Sequence, residues 1–325
     1  MLKEVSIEII RKCPNYCLHC SSSSDEHCKE ILEYDCFTSV VSDAAKLGAR
    51  TICFSGGEPF LHSRIVDMIE FVAALGLQTY IYTAGIIQDD HGQLSSLNRE
   101  VLRKISKNAT KLIFNIEAAK SNTYDVIMGT TNCFEKMKQS ISVARSFSIM
   151  TEAHFVPMKL NIEEAIDVVA LCKKLGVSRL SFLRLVLHGR ALDNEFQIAL
   201  SDEGLKQFKV VLNELQKNSE IDIRIGVPLA IDSSCHKCEA ANGKLNIKYD
   251  GNVFPCEVFK NDRISHCLNG TCPESIHNKS LTDIYHNSAY LQLVRKLSQE
   301  FSCSSHGESC IGQFLINSSQ EGHYE

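Results

Sequence analysis

Apolar and polar residues alternate in short runs through the first two-thirds of the chain, and stretches of helical periodicity separate these runs. Val5, Ile7 and Ile9 alternate with polar residues from Lys3 to Arg11, which predicts a first strand. Five further strands are predicted by the same kind of pattern, over residues 51–55, 78–83, 111–117, 151–156 and 179–186. Each of these strands is short and bounded by polar or glycine-containing segments, as strands usually are.

The segments between the predicted strands repeat apolar residues at helical spacing. The first of them places Phe37, Val40 and Val41 on one face and ends near Gly48, a plausible C-cap. Another is predicted to be a helix carrying Leu94, Leu97, Val101 and Ile105. Six strand–helix units of this kind favour parallel strands covered by helices, either as an open doubly wound sheet or as a partial barrel. In both architectures, binding sites form at the C-terminal ends of the strands.

The character of the chain changes near residue 230. A helix predicted over 202–216 precedes the change, and beyond it helical periodicity weakens while seven of the cysteines lie from Cys235 onward. We therefore predict two domains, an α/β domain over 1–229 and a small domain organised by metal over 230–325.

Composition excludes several classes of function. The chain is 44% hydrophobic and 22% charged with a net charge of −5, so it lacks the basic character of a nucleic-acid-binding protein. No apolar run reaches the roughly 20 residues of a membrane span, and no signal-peptide core opens the chain, which predicts a cytoplasmic protein. The 15 cysteines are the exception to this ordinary composition, and in such a chain they indicate metal binding rather than disulfides.

Three cysteines follow the first strand within eight residues, as Cys13, Cys17 and Cys20. A loop with this spacing can wrap one corner of an iron–sulfur cubane, because cysteine thiolates are the usual ligands of such clusters. Three ligands leave one iron open for another molecule. The alternative at this point is a closed zinc site, completed by His19 or Cys28.

The second strand ends in Gly56-Gly57-Glu58-Pro59. Two glycines permit a close backbone approach, and the carboxylate of Glu58 can accept hydrogen bonds from an ammonium group. This motif is weak alone, but it stands one strand–helix step after the cysteine loop, and that combination is specific.

The two motifs together resemble the signatures of the radical S-adenosylmethionine (SAM) superfamily. The resemblance implies a partial (β/α)6 TIM-like barrel, with a small C-terminal cysteine-rich iron–sulfur domain, in an enzyme that cleaves SAM to a 5′-deoxyadenosyl radical. It implies a [4Fe-4S] cluster held by Cys13, Cys17 and Cys20, whose open iron would chelate SAM. Other residues that the resemblance places at SAM are the Gly56-Gly57-Glu58 motif for the amino group and His19 near the adenine.

Further positions along the barrel are similar to those of relatives. Asn115-Ile116-Glu117-Ala118 follows the fourth strand, where the resemblance implies SAM contacts by Asn115 and Glu117. Tyr124 to Gly129 resembles the helix that comes next, and Gly189-Arg190-Ala191 after the sixth strand is also familiar. Arg184 is predicted near the mouth of the sixth strand, where it could contact SAM or substrate or simply line the barrel.

The later cysteines resemble the beginning of a SPASM or Twitch domain, which carries auxiliary [4Fe-4S] clusters. Asp250-Gly251 predicts a hairpin between Ile247 and Val253 that brings Cys238 and Cys256 together. The resemblance implies one auxiliary cluster, with one cysteine left spare among Cys235, Cys238, Cys256, Cys303 and Cys310. A structural zinc ribbon and a second cluster with Cys267 and Cys272 are the alternatives. If spare, Cys235 or Cys303 could donate a hydrogen atom to a substrate radical.

Three functions follow as hypotheses. The first is radical modification of a ribosomally synthesised peptide by epimerisation, crosslinking or oxidation, because proteins with SPASM-like domains often do this. The second is oxidation or rearrangement of a small molecule in natural-product or cofactor synthesis. The third is a non-catalytic iron–sulfur or zinc scaffold. An enzyme of this kind needs a reducing partner such as flavodoxin or ferredoxin.

Overall fold

The computed structural model of the chain describes residues 1–89, 91–229, 238–261, 264, 268, 270–301 and 310–320. Its first part alternates strands and helices as the sequence predicts. The strands are β1 (Glu4–Ile10), β2 (Thr51–Gly56), β3 (Gln78–Thr83), β4 (Ile86–Gln88), β5 (Leu94–Ser96), β6 (Lys111–Asn115), β7 (Met150–Phe155), β8 (Arg179–Phe182) and β9 (Asp222–Ile225). The helices are α1 (Tyr34–Lys46), α2 (Ile65–Ala74), α3 (Arg99–Ile105), α4 (Ser121–Met128), α5 (Phe134–Ser146), α6 (Ala165–Leu175), α7 (Arg190–Asp193), α8 (Glu195–Ile198) and α9 (Asp202–Asn218).

The six predicted strands form one parallel sheet in chain order, β1-β2-β3-β6-β7-β8. The helices α1, α2, α5 and α6 connect or cover these strands, which is the arrangement that parallel strands require. β9 pairs with β8 in parallel and forms one edge of the sheet. The sheet remains open, since its other edge is a strand from the C-terminal region rather than β9.

The C-terminal region joins this sheet directly. Its hairpin consists of β10 (Lys244–Ile247) and β11 (Val253–Phe254), and β10 pairs in parallel with β1. The hairpin confirms the turn predicted at Asp250-Gly251, where Gly251 adopts φ +82°. The later helices are α10 (Leu281–Asn287), α11 (Ala289–Glu300) and α12 (Ile311–Gln320). Of these, α10 packs against α1.

One predicted helix is wrong at its beginning. Leu94 lies in β5, which pairs with β4 in a small antiparallel sheet, and Leu97 precedes the helix. The side chain of Asn98 accepts hydrogen bonds from the backbone N–H groups of Glu100 and Val101, and so caps α3 from Arg99 onward. The cap and the competing strand pairing override the apolar spacing of the leucines.

β1 separates an apolar face from a polar one. Val5, Ile7 and Ile9 are buried in the hydrophobic core, whereas Ser6 and Glu8 line a cavity on the inner face of the sheet. In a parallel sheet both faces are covered and strands are usually apolar throughout, so polar inward residues indicate a ligand-binding interior.

A buried group of charges fixes the C-terminal region against β1. The Nζ atom of Lys260 lies 2.5 Å from a carboxylate oxygen of Glu8 and 2.6 Å from one of Glu257. Burial lowers the pKa of Lys260, but the charges of Glu257 and Glu8 outweigh burial and raise it overall. The hydroxyl of Ser22 also donates to Glu8 at 2.8 Å, so the cysteine loop is tied to the same network.

We expect Lys260→Met to lower the free energy of unfolding by about 3–5 kcal/mol, because it leaves the buried carboxylate of Glu8 without its counter-charge. Adding Glu8→Gln to this variant should recover part of the loss. Denaturant titration under anaerobic conditions measures both. Lys217→Met is the matched control, since its ion pair with Glu214 is exposed and should be worth less than about 1 kcal/mol. Equal losses in the Lys260 and Lys217 variants would contradict the role given to the buried charges.

Candidate active site

The three cysteines of the first motif lie in one loop at the C-terminal end of β1. Cys13 is buried, Cys17 and Cys20 are partly buried, and none of the three is in a disulfide. Burial raises the pKa of the Cys13 and Cys17 thiols, and the neighbouring thiols raise it further, so the three sulfur atoms lie close enough to interact. An electropositive group that bound here would relieve this mutual repulsion of thiolates.

The two glycines at the end of β2 hold the start of this loop. The N–H of Gly57 donates to the carbonyl of Ile10 at 2.7 Å, and that of Glu58 donates to Lys12 at 2.9 Å. A Cβ atom on Gly56 would lie 2.2 Å from the Ile10 oxygen, and one on Gly57 would lie 2.1 Å from the Lys12 oxygen. The glycines therefore allow the end of β2 to lie against the chain at the end of β1. The sequence predicted instead that their small size serves close contact with a ligand.

Glu58 is almost fully buried and bonds to the end of β3. Its carboxylate accepts hydrogen bonds from the hydroxyl of Thr83 at 2.7 Å and from the N–H of Ala84 at 3.0 Å. Burial raises the pKa of Glu58 to about 7, against these hydrogen bonds, which lower it. The carboxylate thus links two adjacent strand ends beside the cysteine loop.

The C-terminus of α4 holds the middle of the loop. The N–H of Tyr16 donates to the carbonyl of Met128 at 3.0 Å, and the N–H of Leu18 donates to that of Ile127 at 2.9 Å. Gly129 ends the helix at φ +62°, and a Cβ atom there would lie 2.2 Å from the Tyr16 oxygen. The segment from Tyr124 to Gly129 therefore holds the cysteine loop in position through backbone hydrogen bonds.

The helix α7 also holds the cysteine loop, through the side chain of Arg190. The guanidinium of Arg190 donates to the carbonyl of Cys17 at 2.9 Å and to that of Ser24 at 2.6 Å. Its charge opposes the rise that burial causes in the pKa of Cys17. Asn194 donates to the carbonyl of Leu18 at 3.0 Å. Sequence reasoning noted the Gly189-Arg190-Ala191 motif but gave it no role, because nothing local shows which loop it contacts.

His19 and Glu117 face each other across the loop. The Nε2 atom of His19 lies 3.4 Å from Oε1 of Glu117, which is fully buried and also accepts a 2.8 Å hydrogen bond from the N–H of Val156. The other ring nitrogen of His19 is buried without a protein partner. The zinc hypothesis placed His19 or Cys28 beside the three cysteines, whereas His19 is directed to Glu117 and the Cys28 sulfur lies 3.9 Å from the carbonyl of Ser23.

A cavity of 480 Å³ occupies the inner face of the sheet beside the loop. Of the predicted site residues it is lined by His19, Gly56, Asn115, Arg184 and Cys256. It therefore extends from the cysteine loop to the C-terminal region. Residues from β1, β2, β6 and the end of β8 meet there because parallel strands direct their C-terminal ends to one side of a sheet.

Two protein-family models match the chain and identify its superfamily. A model of the radical SAM superfamily matches residues 7–201, more than half of the chain. The chain belongs to the radical SAM superfamily. A second model, for the SPASM iron–sulfur cluster-binding domain, matches residues 235–310.

Curated relatives and solved structures agree with this assignment. The chain is similar to the PqqA peptide cyclase of Bradyrhizobium diazoefficiens, with 24% identity over 294 residues that cover 87% of this chain and 73% of that protein. The PqqA peptide cyclase of Xanthomonas campestris pv. campestris strain B100 is also 24% identical, over 298 residues, 88% of this chain and 74% of that one.

Among structures, that of Streptococcus suis SuiB bound to the precursor peptide SuiA has a TM-score of 0.72 at 15% identity, covering 91% of this chain and 67% of that chain. Native anSMEcpe with bound AdoMet has a TM-score of 0.67 at 15% identity, over 96% and 87%. At this identity the structures establish the fold, and they confirm the predicted partial barrel.

As a radical SAM enzyme with a SPASM domain, the protein uses SAM, a [4Fe-4S] cluster and auxiliary iron–sulfur clusters. The cysteine loop fits the [4Fe-4S] cluster, because it presents three thiols, none of them in a disulfide, in a partly buried site where neighbouring thiols raise the pKa of Cys13 and Cys17. Among the residues that the structure describes, no three His, Cys, Asp or Glu side chains converge as ligands of a single metal ion would. The irons of a cubane occupy separate corners, so its thiolate ligands are spread apart.

The C-terminal thiols also fit a cluster. Burial raises the pKa of Cys256, and the nearby Cys310 and Cys238 raise it further, which confirms that the hairpin brings Cys238 and Cys256 together. Cys256 lines the cavity, as do His19 and Ser22 of the cysteine loop, so the two cysteine-containing segments border the same space. Cys235 and Cys303, the two predicted hydrogen donors and candidate ligands, lie outside the described residues, as does Cys267.

Proposed function

We propose that this radical SAM enzyme modifies a ribosomally synthesised peptide by epimerisation, crosslinking or oxidation. The observation that supports the proposal is the cavity, which reaches from His19 and Ser22 of the cysteine loop to Cys256 and so offers a substrate a space beside both cysteine-containing segments. The curated relatives are peptide cyclases, and SuiB is described as bound to a precursor peptide, which supports a peptide as the occupant.

The proposed division of labour follows the two domains, with the radical SAM core at 1–229 and the SPASM-like domain at 230–325. Cys13, Cys17 and Cys20 hold the cluster that binds SAM. The auxiliary cluster takes its ligands from Cys235, Cys238, Cys256, Cys303 and Cys310, with one of them spare. Where the spare thiol is Cys235 or Cys303, it donates hydrogen to the substrate radical.

When bound, the reduced cluster and SAM together supply a 5′-deoxyadenosyl radical that abstracts hydrogen from the substrate. The protein's own residues orient the reactants and exclude water around them. Gly56 and Gly57 fix the loop against β2, while Glu58 fixes the end of β3 beside it. Glu117 orients the imidazole of His19 toward SAM.

The cavity wall supplies the remaining contacts in this proposal. Asn115 at the end of β6 contacts SAM, and Arg184 after β8 contacts SAM or an anionic group of the substrate. A flavodoxin or ferredoxin is the proposed electron donor, and the cytoplasm is the proposed compartment. The part of the chain that the structure describes contains no helix long and apolar enough to cross a membrane.

The experiment uses the anaerobically reconstituted holoenzyme with SAM and dithionite. Extracts of the producing organism are separated by size, and each fraction is tested for stimulation of 5′-deoxyadenosine formation. If the proposal is right, protease treatment of the stimulating fraction abolishes the effect, and mass spectrometry of the untreated fraction finds a modified peptide. Stimulation that survives protease and passes into the small-molecule fraction would replace the peptide with a metabolite.

A further inference from the structure

Arg190 occupies an unusual position for a charged side chain. It lies at the beginning of α7 and is only 6% exposed. Its guanidinium donates hydrogen bonds to the backbone of the cysteine loop at two points, the carbonyls of Cys17 and Ser24. Its central carbon lies 3.8 Å from the ring centre of Tyr16, in a cation–π contact. One side chain thus spans the loop from its middle to its end.

Among the residues that the structure describes, the contacts of Arg190 are all to neutral groups, and no carboxylate lies within ion-pair distance of its guanidinium. A buried cation without a counter-charge is costly, and protein interiors normally pair such groups. The anionic groups that the same loop would present to a cluster are its thiolates, and the guanidinium of Arg190 bonds to the backbone carbonyl of one of these residues, Cys17.

We propose that Arg190 is the positioning residue that both holds the cysteine loop in shape and supplies the counter-charge to its iron–sulfur cluster. A cluster held by thiolates is anionic and becomes more so on reduction, so a fixed neighbouring cation stabilises the reduced form. Net charge around a cluster is one of the factors that set its reduction potential. Arg190 therefore makes the SAM-binding cluster easier to reduce. This inference rests on membership of the superfamily and does not depend on the substrate being a peptide.

A purely structural role is the competing explanation, and Asn194 provides the matched control. Its side chain bonds to the same loop at Leu18 from the same helical segment, but it carries no charge. Asn194→Ala loosens the loop and leaves the charge unchanged. Arg190→Gln removes the charge and retains an amide donor, whereas Arg190→Lys retains the charge and loses the planar fork.

The test measures iron content and the reduction potential of the SAM-binding cluster by electron paramagnetic resonance, in variants that also carry Cys256→Ala to remove the auxiliary signal. We expect Arg190→Gln to have a more negative potential, with the ratio of reduced to oxidised cluster at fixed reductant lower by on the order of tenfold. Arg190→Lys and Asn194→Ala should remain close to the parent protein.

Each outcome decides the matter. A cluster in Arg190→Gln with the parent potential overturns the proposal. If Arg190→Gln fails to bind iron while Arg190→Lys binds it with the parent potential, the charge is required and the proposal stands. If neither variant binds iron, the hydrogen-bonded fork is what the loop needs, and the electrostatic role is wrong.

Discussion

Replacing Cys13, Cys17 and Cys20 together with alanine is expected to abolish 5′-deoxyadenosine formation and to remove about four irons per chain. The three thiols lie in one partly buried loop, and none of them is in a disulfide. Without them, the loop offers only neutral methyl groups to the site. The measurement is anaerobic reconstitution, iron analysis and chromatographic assay of 5′-deoxyadenosine after addition of SAM and dithionite.

Two matched variants make this result specific. Cys36→Ala removes a half-buried thiol in α1 whose pKa is raised by burial, with no contribution from the other thiols that the structure describes, and it should keep full iron content and activity. Cys256→Ala should lose iron from the C-terminal group while the loop cluster remains. SAM cleavage at the parent rate by the triple variant would show that the loop does not hold the cluster.

The variant Gly56→Ala is expected to prevent assembly of the cysteine loop and to lower the free energy of unfolding by about 3 kcal/mol or more. Gly56 adopts φ +118°, which L-residues rarely adopt, and a Cβ atom would lie 2.2 Å from the carbonyl oxygen of Ile10. That oxygen also accepts the hydrogen bond from Gly57, so the clash acts on the contact that joins β2 to the loop. Iron content and denaturant titration measure the two effects.

The variant Gly76→Ala is the control, because it introduces backbone strain at a positive φ without a steric clash. Gly76 adopts φ +72° at the end of α2, but a Cβ atom there would meet nothing within 4 Å. We expect this control to cost about 1 kcal/mol and to leave iron binding unchanged. Similar losses of iron in both variants would mean that the close approach of β2 to the loop is unimportant.

Both expectations depend on the same feature of the architecture, namely that three separate elements hold one loop. β2 holds its beginning through Gly57, α4 holds its middle at Tyr16 and Leu18, and α7 holds it through Arg190. Since cysteine ligands must be presented in a fixed arrangement, supports on several sides of the loop hold the three cysteines in place for a cluster.

The local patterns of the sequence were sufficient for the positions of the six parallel strands and for the motifs. β3 lies at 78–83 as its alternation predicts, and the six parallel strands follow one another in chain order. The cysteine spacing and the glycine motif were enough to identify the superfamily, because such chemistry uses residues that are close in the chain. The hairpin at Asp250-Gly251 was also predictable, since turn preferences are local.

What holds these motifs in place could not be read from the sequence. Arg190 reaches Ser24 of the cysteine loop, 166 residues earlier in the chain, and Lys260 reaches Glu8 across 252 residues. The addition of β10 to the edge of β1 is equally remote. Such contacts carry no periodicity and no spacing rule, since the partners are brought together only when the helices and strands pack. The sequence alone determined which chemistry the chain carries and where its parallel strands lie along the chain, whereas the tertiary structure decided the order of the strands in the sheet and which side chains support the cluster loop, because burial and charge pairing between distant segments arise only on folding.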